Sequence, residues 1–403
     1  TQYSCTTRRK RCCYPGLTNS NVTTTLKCAQ STTITYSSTA NAMFTVQKAS
    51  SRAELNFINT TFQYITFKAL RGLIKVTSAD KIYLKSIAVK TSVFSEGILS
   101  YGTTTSSWND IDFTIDDIEI AQYNYYNISL TSPNGALMTL PPENSIANFT
   151  IRNGIFRDFW LTDNSYLIYS PTPYTAQIDN TVFSNILLSP KSKGVAYLFN
   201  ISSSSSLTIA NSQFTRVVIK DNARLIGLNS SSLTLDFCEF THNTHSFASS
   251  SKIPSRIILS INNSTLSLTN TFFQSNTFGT FTNAQKIMEF EGSTVTVKNV
   301  TFKSNTFTYP GHLFSVGIGS SIKMTETLFD TNTLSDTKSQ IVFVNILNGA
   351  LPSTITSTIF NGNTMTGNTT LVQAAASLDM SNVVFSSNTF VSHSYKSICI
   401  TMY

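Results

Sequence analysis

Four basic side chains recur at similar intervals in the second half of the chain. Arg224, Arg256, Lys286 and His312 lie 26 to 32 residues apart, and each directly precedes a short apolar segment. If each interval is one turn of a repeating structure, these side chains form a column. Like charges in a column repel, so solvent screens them or an anionic ligand binds them. The spacing predicts an anion-binding column, with a solvated column as the alternative. Its ligand would be an acidic glycan, since we find no element that reads a nucleic-acid groove.

Acidic residues that could catalyse glycan cleavage are scarce. Glycoside hydrolysis uses two carboxyl groups about 5–10 Å apart, and Glu289 is the one acid inside these apolar segments. The sequence therefore predicts no catalytic pair and no cofactor. Four acids close enough in sequence to bind calcium are Asp110, Asp112, Asp116 and Asp117. We interpret them as solvated surface residues, and we predict no metal site.

A repeat must position these residues. The string Phe-x-x-Asn-Thr begins at Phe240, Phe273, Phe302, Phe329, Phe360 and Phe385. Looser copies extend the series to twelve anchor positions, 25 to 36 residues apart: 62, 89, 120, 156, 183, 214, 240, 273, 302, 329, 360 and 385. Self-similarity on this scale indicates a solenoid or a propeller. A solenoid can grow as one unit at this length.

Each repeat contains three short apolar segments, which we call the first, second and third segments. An example is Leu225–Leu228, Leu233–Leu235 and the segment that contains Phe240. Short apolar runs bounded by Ser, Gly and Asn are typical of strands. Asn recurs in the bend between the second and third segments, at Asn59, Asn153, Asn180, Asn211, Asn270, Asn299 and Asn382. Asn tolerates the left-handed conformation, so we expect an inward-facing ladder of these side chains.

Three strands per repeat, with Asn in the bend, resemble the right-handed parallel β-helix superfamily that includes pectate lyases. The Phe-x-x-Asn strings are also similar to the repeats of chlamydial polymorphic outer-membrane proteins. The resemblance implies an all-β fold, a right-handed parallel β-helix of about twelve three-strand coils. At about 4.8 Å per coil this would be a rod roughly 55–60 Å long. Enzymes of the superfamily place acidic groups and a base along the first strand and the adjoining turns, so a polysaccharide lyase or glycoside hydrolase is one alternative.

The N-terminal segment differs from the repeats. Residues 1–41 contain Cys5, Cys12, Cys13 and Cys28 in a basic, polar context. The spacing lacks paired Cys-x-x-Cys strings, so we favour two disulfides over a zinc site. Disulfides imply an oxidising, extracellular compartment. We expect residues 1–41 to cap a β-helix formed by residues 42–403.

Several sequons for N-glycosylation follow a first segment, where a turn would face solvent. We expect glycans on Asn200, Asn229, Asn368 and at least one of Asn262 and Asn263. Asn59 and Asn299 should be bare, because the bend would turn them inward. Further candidate sequons are Asn21, Asn127 and Asn148.

These observations favour a non-enzymatic, extracellular β-solenoid glycoprotein that forms part of a surface coat, an adhesin or a filament. An acidic-glycan-binding module is the intermediate alternative. Ile398–Tyr403 falls on a first segment. We therefore expect the solenoid to be continued beyond 403 by more chain or to associate end to end. No apolar run approaches the length of about 18 residues that a membrane span requires.

Overall fold

The computed structural model is an all-β parallel solenoid. Before residue 147 it describes nine separate strands, bounded below. From there it describes 147–161, 165–169, 173–190, 194–202, 204–246, 255–279, 285–308, 311–391 and 398–402. Every strand pairing that the structure assigns is parallel, and each strand pairs with its equivalent one repeat away. The predicted parallel β-helix is therefore confirmed at the level of a parallel β-solenoid.

The first segments form one continuous sheet. Its strands are Ala42–Val46, Gly72–Val76, Leu99–Tyr101, Gly135–Thr139, Ser165–Tyr169, Ala196–Ser202, Ala223–Asn229, Arg256–Ile261, Gln285–Phe290, Gly311–Val316, the later halves of Thr333–Ile346 and Thr364–Ala374, and Ile398–Met402. This sheet carries the predicted basic column.

The second segments form the next sheet. Its strands are Tyr3–Cys5, Thr24–Cys28, the first halves of Glu54–Gln63, Lys81–Lys90 and Asp112–Ala121, then Ala147–Arg152, Tyr174–Asp179, Ser206–Ala210, Ser232–Asp236, Thr265–Thr269, Thr294–Lys298, Ser321–Thr325, Ser353–Thr356 and Leu378–Ser381. Apolar residues alternate with polar ones, as in Thr294–Lys298, where Val295 and Val297 are buried. This alternation is the reason that one face packs into the core.

The third segments are more complex than the predicted single strand. The later halves of Glu54–Gln63, Lys81–Lys90 and Asp112–Ala121 belong here, followed by Ile155–Leu161 and Val182–Leu188. The next turns have pairs of short strands: Gln213–Thr215 with Val218–Lys220, Glu239–Thr241 with Thr244–Ser246, Phe272–Gln274 with Thr277–Phe278, and Thr301–Lys303 with Thr306–Phe307. In the last turns Leu328–Asp330 and Ile359–Asn361 precede the starts of Thr333–Ile346 and Thr364–Ala374, and Val384–Ser386 precedes Thr389–Val391. These turns therefore have four strands, not three.

A left-handed residue causes the split of the third segment. Ser275, Ser304 and Thr331 have φ of 54°, 53° and 53°, and each directly precedes the Asn of Phe-x-x-Asn. A residue with a positive φ bends the backbone and so produces a corner. This corner could not be predicted from the sequence, because Ser and Thr are not typical of that conformation.

The predicted anchors are in register with one another. Phe273 pairs with Phe302, and Phe302 with Phe329. Their rings stack with centroids 4.7 and 5.0 Å apart. Each fully buried Phe stabilises the fold by about 1.5–3 kcal/mol, and stacked pairs add about 0.5–1.5 kcal/mol each.

From Ala147 onward, where the described ranges are long, the solenoid has about eight turns. The strands that carry the earliest anchors also pair in the expected register, as Phe62 does with Val89 and Val89 with Ile120. Since those turns are described only as separate strands, the count of twelve stays a prediction.

The bend between the second and third segments has the predicted left-handed conformation, but its Asn side chains do not point in the predicted direction. Asn180, Asn270 and Asn299 have φ of 47°, 49° and 52°, as predicted for left-handed Asn. Nδ2 of Asn299 donates to Oδ1 of Asn270 at 2.8 Å, but this hydrogen bond lies on the exposed surface. The expectation that Asn299 points inward is wrong. The side chain of Asn59 lies outside the described residues.

The inward ladder is formed by the Asn of Phe-x-x-Asn. It contains Asn243, Asn276, Asn305, Asn332, Asn363 and Asn388. Nδ2 of Asn305 donates to the carbonyl oxygen of Phe273 at 2.8 Å. Oδ1 of Asn305 accepts from the backbone N–H of Asn276 at 2.9 Å. The corner would otherwise leave these buried backbone groups unpaired, which explains why the repeat has Asn here.

The N-terminal strands continue the second-segment sheet. Cys5 and Cys28 are Cα partners in the pairing of Tyr3–Cys5 with Thr24–Cys28, and Leu26 pairs with Phe57. Cys12, Cys13 and the side chains of Cys5 and Cys28 lie outside the described residues. The disulfides and the boundary at residue 41 therefore stay predictions.

Candidate functional site

The basic column lies on the outward face of the first-segment sheet. Arg224 pairs with Arg256, and Lys286 pairs with His312. The same column begins earlier than the sequence analysis proposed, because Tyr166 pairs with Tyr197 and Tyr197 with Arg224. A signal for these tyrosines was present in the sequence, since each precedes two apolar residues as Arg224 does.

Tyr197 links the aromatic and basic parts of the column. Its ring stacks on Tyr166 with centroids 5.5 Å apart, and the Arg224 guanidinium lies 5.2 Å from its centroid on the next turn. Arg224 also donates to the Tyr197 hydroxyl. Both ring faces are therefore occupied and the hydroxyl oxygen already accepts from Arg224, which leaves the ring edge and the hydroxyl proton for contacts with a ligand.

Gly227 makes room for this arrangement. A Cβ at this position would lie 2.5 Å from Cε1 of Tyr197. Any side chain there would displace the ring and, with it, the surface on which Arg224 rests.

Arg256 and Lys286 are not free cations, because Glu289 lies between them. Its Oε2 accepts from Nε of Arg256 at 2.7 Å, and its Oε1 accepts from Nζ of Lys286. Burial opposes ionisation, but the Arg256 charge and both hydrogen bonds hold the pKa of Glu289 below its ordinary value. Glu289 is therefore an ionised, paired carboxylate at neutral pH.

A second carboxylate reaches the same lysine. Oε1 of Glu291 lies 3.9 Å from Nζ of Lys286, so two carboxylates approach one lysine, and the prediction of no catalytic pair stays a prediction. Glu291 follows the first segment in the turn, a position that the sequence analysis did not inspect. A glycosidase of the two-carboxylate type needs one group to be a protonated acid, whereas Glu289 has a lowered pKa.

His312 contributes no charge at neutral pH. Burial and the nearby Lys286 lower the pKa of His312 to about 4. The column of four cations predicted from the sequence therefore contains, among the described residues, one cation that no carboxylate neutralises. That cation is Arg224.

A second outward column runs beside the first. Register places Asn200, Gly227, Leu259, Glu289, Ser315, Asn345 and Gln373 on successive turns. Ser315 and Asn345 are only 1 % and 3 % exposed, although they lie on the outward side. Buried polar groups usually have hydrogen-bond partners, but Oγ of Ser315 and Oε1 of Gln373 have none. Nδ1 of His312 and Nε of Arg224, in the first column, are likewise unpaired.

The predicted glycosylation sites differ in their position along the repeat. Asn229, Asn262 and Asn263 lie at or just after the end of a first segment, Asn200 lies within one, and Asn368 lies just before one. Asn229, Asn262 and Asn263 are exposed, and Asn200 and Asn368 are partly exposed. Nδ2 of Asn262 donates to Oδ1 of Asn229 at 2.8 Å. Asn21, Asn127 and the side chain of Asn148 lie outside the described residues.

The described residues contain no cluster of three His, Cys, Asp or Glu side chains arranged to hold a metal ion. Asp116 accepts a hydrogen bond from Asn153 at 2.9 Å, while Asp110 lies outside the described residues. Within the same described ranges, no helix is long and apolar enough to cross a membrane.

Comparisons with known proteins find only remote similarity to solved structures. No family profile matches the sequence, and no curated protein is similar to it. Among solved structures, the A-module of the mannuronan C-5 epimerase of Azotobacter vinelandii is 10% identical over 85% of this chain and 91% of its own, with a TM-score of 0.34. A surface adhesin of Streptococcus pneumoniae is 11% identical over 86% of this chain and 85% of its own, with a TM-score of 0.29. An alginate lyase in complex with a trisaccharide is 12% identical over 89% and 83%, with a TM-score of 0.33. At these values no activity transfers to this chain.

Proposed function

We propose that the protein is an extracellular, adhesive β-solenoid that binds an acidic glycan along the outward face of its first segments and does not cleave it. The observation that supports this is the alignment of Tyr197, Arg224, Arg256 and Lys286 on successive turns. Polar side chains continue the neighbouring outward column on the same and the following turns, at Glu289, Ser315, Asn345 and Gln373. Polar groups aligned on successive turns can contact successive units of a chain-like ligand. A paired, ionised Glu289 is unsuited to donate a proton to a leaving group.

The test is binding and turnover measured on the same polysaccharides. We expect retention on immobilised acidic polysaccharide and no release of reducing ends or unsaturated products. Cleavage that is lost in Glu289→Gln would instead support the alternative of a polysaccharide lyase or hydrolase, and absence of binding would overturn the proposal.

The proposal includes a structural role as a rod of about twelve coils in a surface coat or filament. Inward-facing positions of the last described turns are less covered than those before them. Phe360 and Met365 are fully buried, whereas Phe390, which pairs with Met365, is 39 % exposed. We propose that an end-to-end contact or an adjoining chain covers this surface. Electron microscopy should show rods that join end to end as concentration rises; dispersed rods at micromolar concentration would contradict it.

Disulfides in residues 1–41 are part of the same proposal. Adjacent parallel strands lie about 4.7–4.9 Å apart, which falls within the Cα separation of disulfides. The register of Cys5 with Cys28 therefore favours a bond between them. Peptide mapping without reduction should find Cys5 linked to Cys28, and free thiols at both positions would contradict an oxidising compartment.

A further inference from the structure

Charge is unevenly distributed along the candidate glycan-binding face. Arg224 lies at one end without a carboxylate partner, whereas Arg256 and Lys286 both contact Glu289. On the following turns the outward positions hold the uncharged Ser315, Asn345 and Gln373. The described part of the face can therefore accept one anionic group near Arg224 and few others.

The remaining polar atoms are suited to hydroxyl groups. Oγ of Ser315 can donate and accept, Oε1 of Gln373 accepts, and Nδ1 of the neutral His312 can do either, depending on the tautomer. All three atoms are buried and without a partner. If these side chains rotate toward the face, a hydroxyl-rich ligand could provide these partners, whereas a carboxylate accepts hydrogen bonds only.

A densely charged chain fits this face poorly. Its successive carboxylates would approach Glu289, which is ionised, and the half-exposed Glu291. Like charges at short range are unfavourable, and Arg256 and Lys286 already have a partner. Glu289 therefore acts as a positioning residue that neutralises the middle of the face.

We propose that the ligand is a sparsely charged polysaccharide, a mainly neutral chain with isolated uronic-acid residues, in which one carboxylate binds Arg224 and neutral sugars lie over the turns of Ser315 and Gln373. The inference rests on the proposed glycan-binding function and names its ligand class. Glu289 excludes homopolymers of uronic acid.

Three probes distinguish the ligand classes: a xylan with isolated glucuronic-acid branches, the same xylan without branches, and polygalacturonate. Isothermal titration with the whole protein should show the branched xylan binding most tightly. Arg224→Gln should lower its affinity about tenfold, to the level of the unbranched chain, since a charge-assisted contact is lost. Lys323→Gln, which removes an exposed cation on the second-segment sheet, is the matched control and should have no effect.

Glu289→Gln gives the sharpest test, because it predicts a gain. Removal of the carboxylate releases Arg256 and Lys286, so affinity for polygalacturonate should rise about tenfold or more. Misfolding cannot produce such a gain. Wild-type protein that prefers polygalacturonate, or a Glu289→Gln variant with no gain, would overturn the sparsely charged ligand while leaving glycan binding intact. Failure of all three probes would overturn the proposed function, and this inference with it.

Discussion

Asn305 and Asn332 occupy the same corner of successive turns, and Nδ2 of Asn305 donates to Oδ1 of Asn332 at 3.0 Å. Both side chains are fully buried. Each side chain also hydrogen-bonds to backbone groups that would otherwise have no partner at the corner. The ladder therefore stabilises the interior of the solenoid.

Asn305→Ala should destabilise the protein strongly. The carbonyl of Phe273 and the N–H of Asn276 lose their partners, at about 1–3 kcal/mol for each buried group. Asn299→Ala is the control, because it removes one exposed hydrogen bond. Urea unfolding and amide hydrogen exchange at the corner measure the difference. Equal effects of the two substitutions would contradict the assignment of the inner ladder.

Phe302→Ala should lower the free energy of unfolding by about 3–5 kcal/mol, since it leaves a cavity in the core. Phe302 is fully buried between Phe273 and Phe329. The matched substitution is Phe272→Ala. Phe272 is 49 % exposed, so its loss should change stability by no more than about 0.5 kcal/mol. A similar loss of stability in both variants would contradict the assignment of Phe302 to the core and of Phe272 to the surface.

His245 should make stability depend on pH. It is buried beside Ser255, with Nε2 2.8 Å from the Ser255 hydroxyl, and burial lowers the pKa of His245 to about 4. Since the unfolded chain binds a proton near pH 6.5, the stabilisation is complete above that pH and is lost as pH falls toward 4. The loss is on the order of 3 kcal/mol.

His245→Phe is a suitable comparison, because Phe278 occupies the equivalent position on the next turn. Unfolding midpoints of both proteins between pH 7 and 4 test the prediction. The difference between them should change over this range; a constant difference would show that His245 does not titrate there.

N-glycans are expected on Asn229 and on Asn262 or Asn263, which are exposed, and on Asn200 and Asn368. Asn299 no longer has a steric reason to be bare, since its side chain lies outward. Glycopeptide mass spectrometry of the protein checks the set. An unmodified Asn229 beside a modified Asn299 would contradict the assignment of the turn after the first segment as the main glycosylated surface.

The sequence predicted the register of the anchors because alternation and period are local properties. Phe302 and Phe329 recur in the same Phe-x-x-Asn-Thr pattern, and a slip of one residue would expose their rings. It did not predict the corner at Ser304, since Ser carries no strong signal for a positive φ, and so the inward Asn was assigned to the wrong bend.

The charge states of the site residues were harder to predict than the alignment of these residues in a column. The position of Lys286 followed from the repeat, but its pairing depends on side-chain directions of Glu289 and Glu291. The neutral state of His312 depends on burial, which the spacing of basic residues does not reveal.

The ladder of Asn side chains also bears on how such a chain can change length. Each Asn contacts only the turns directly before and after it, and each anchor ring stacks on its two neighbours. A duplicated turn inserted between two existing ones would meet the same Asn and the same Phe on both sides. Tandem duplication of a whole repeat would therefore be structurally tolerated, whereas insertion of a partial repeat would interrupt both columns.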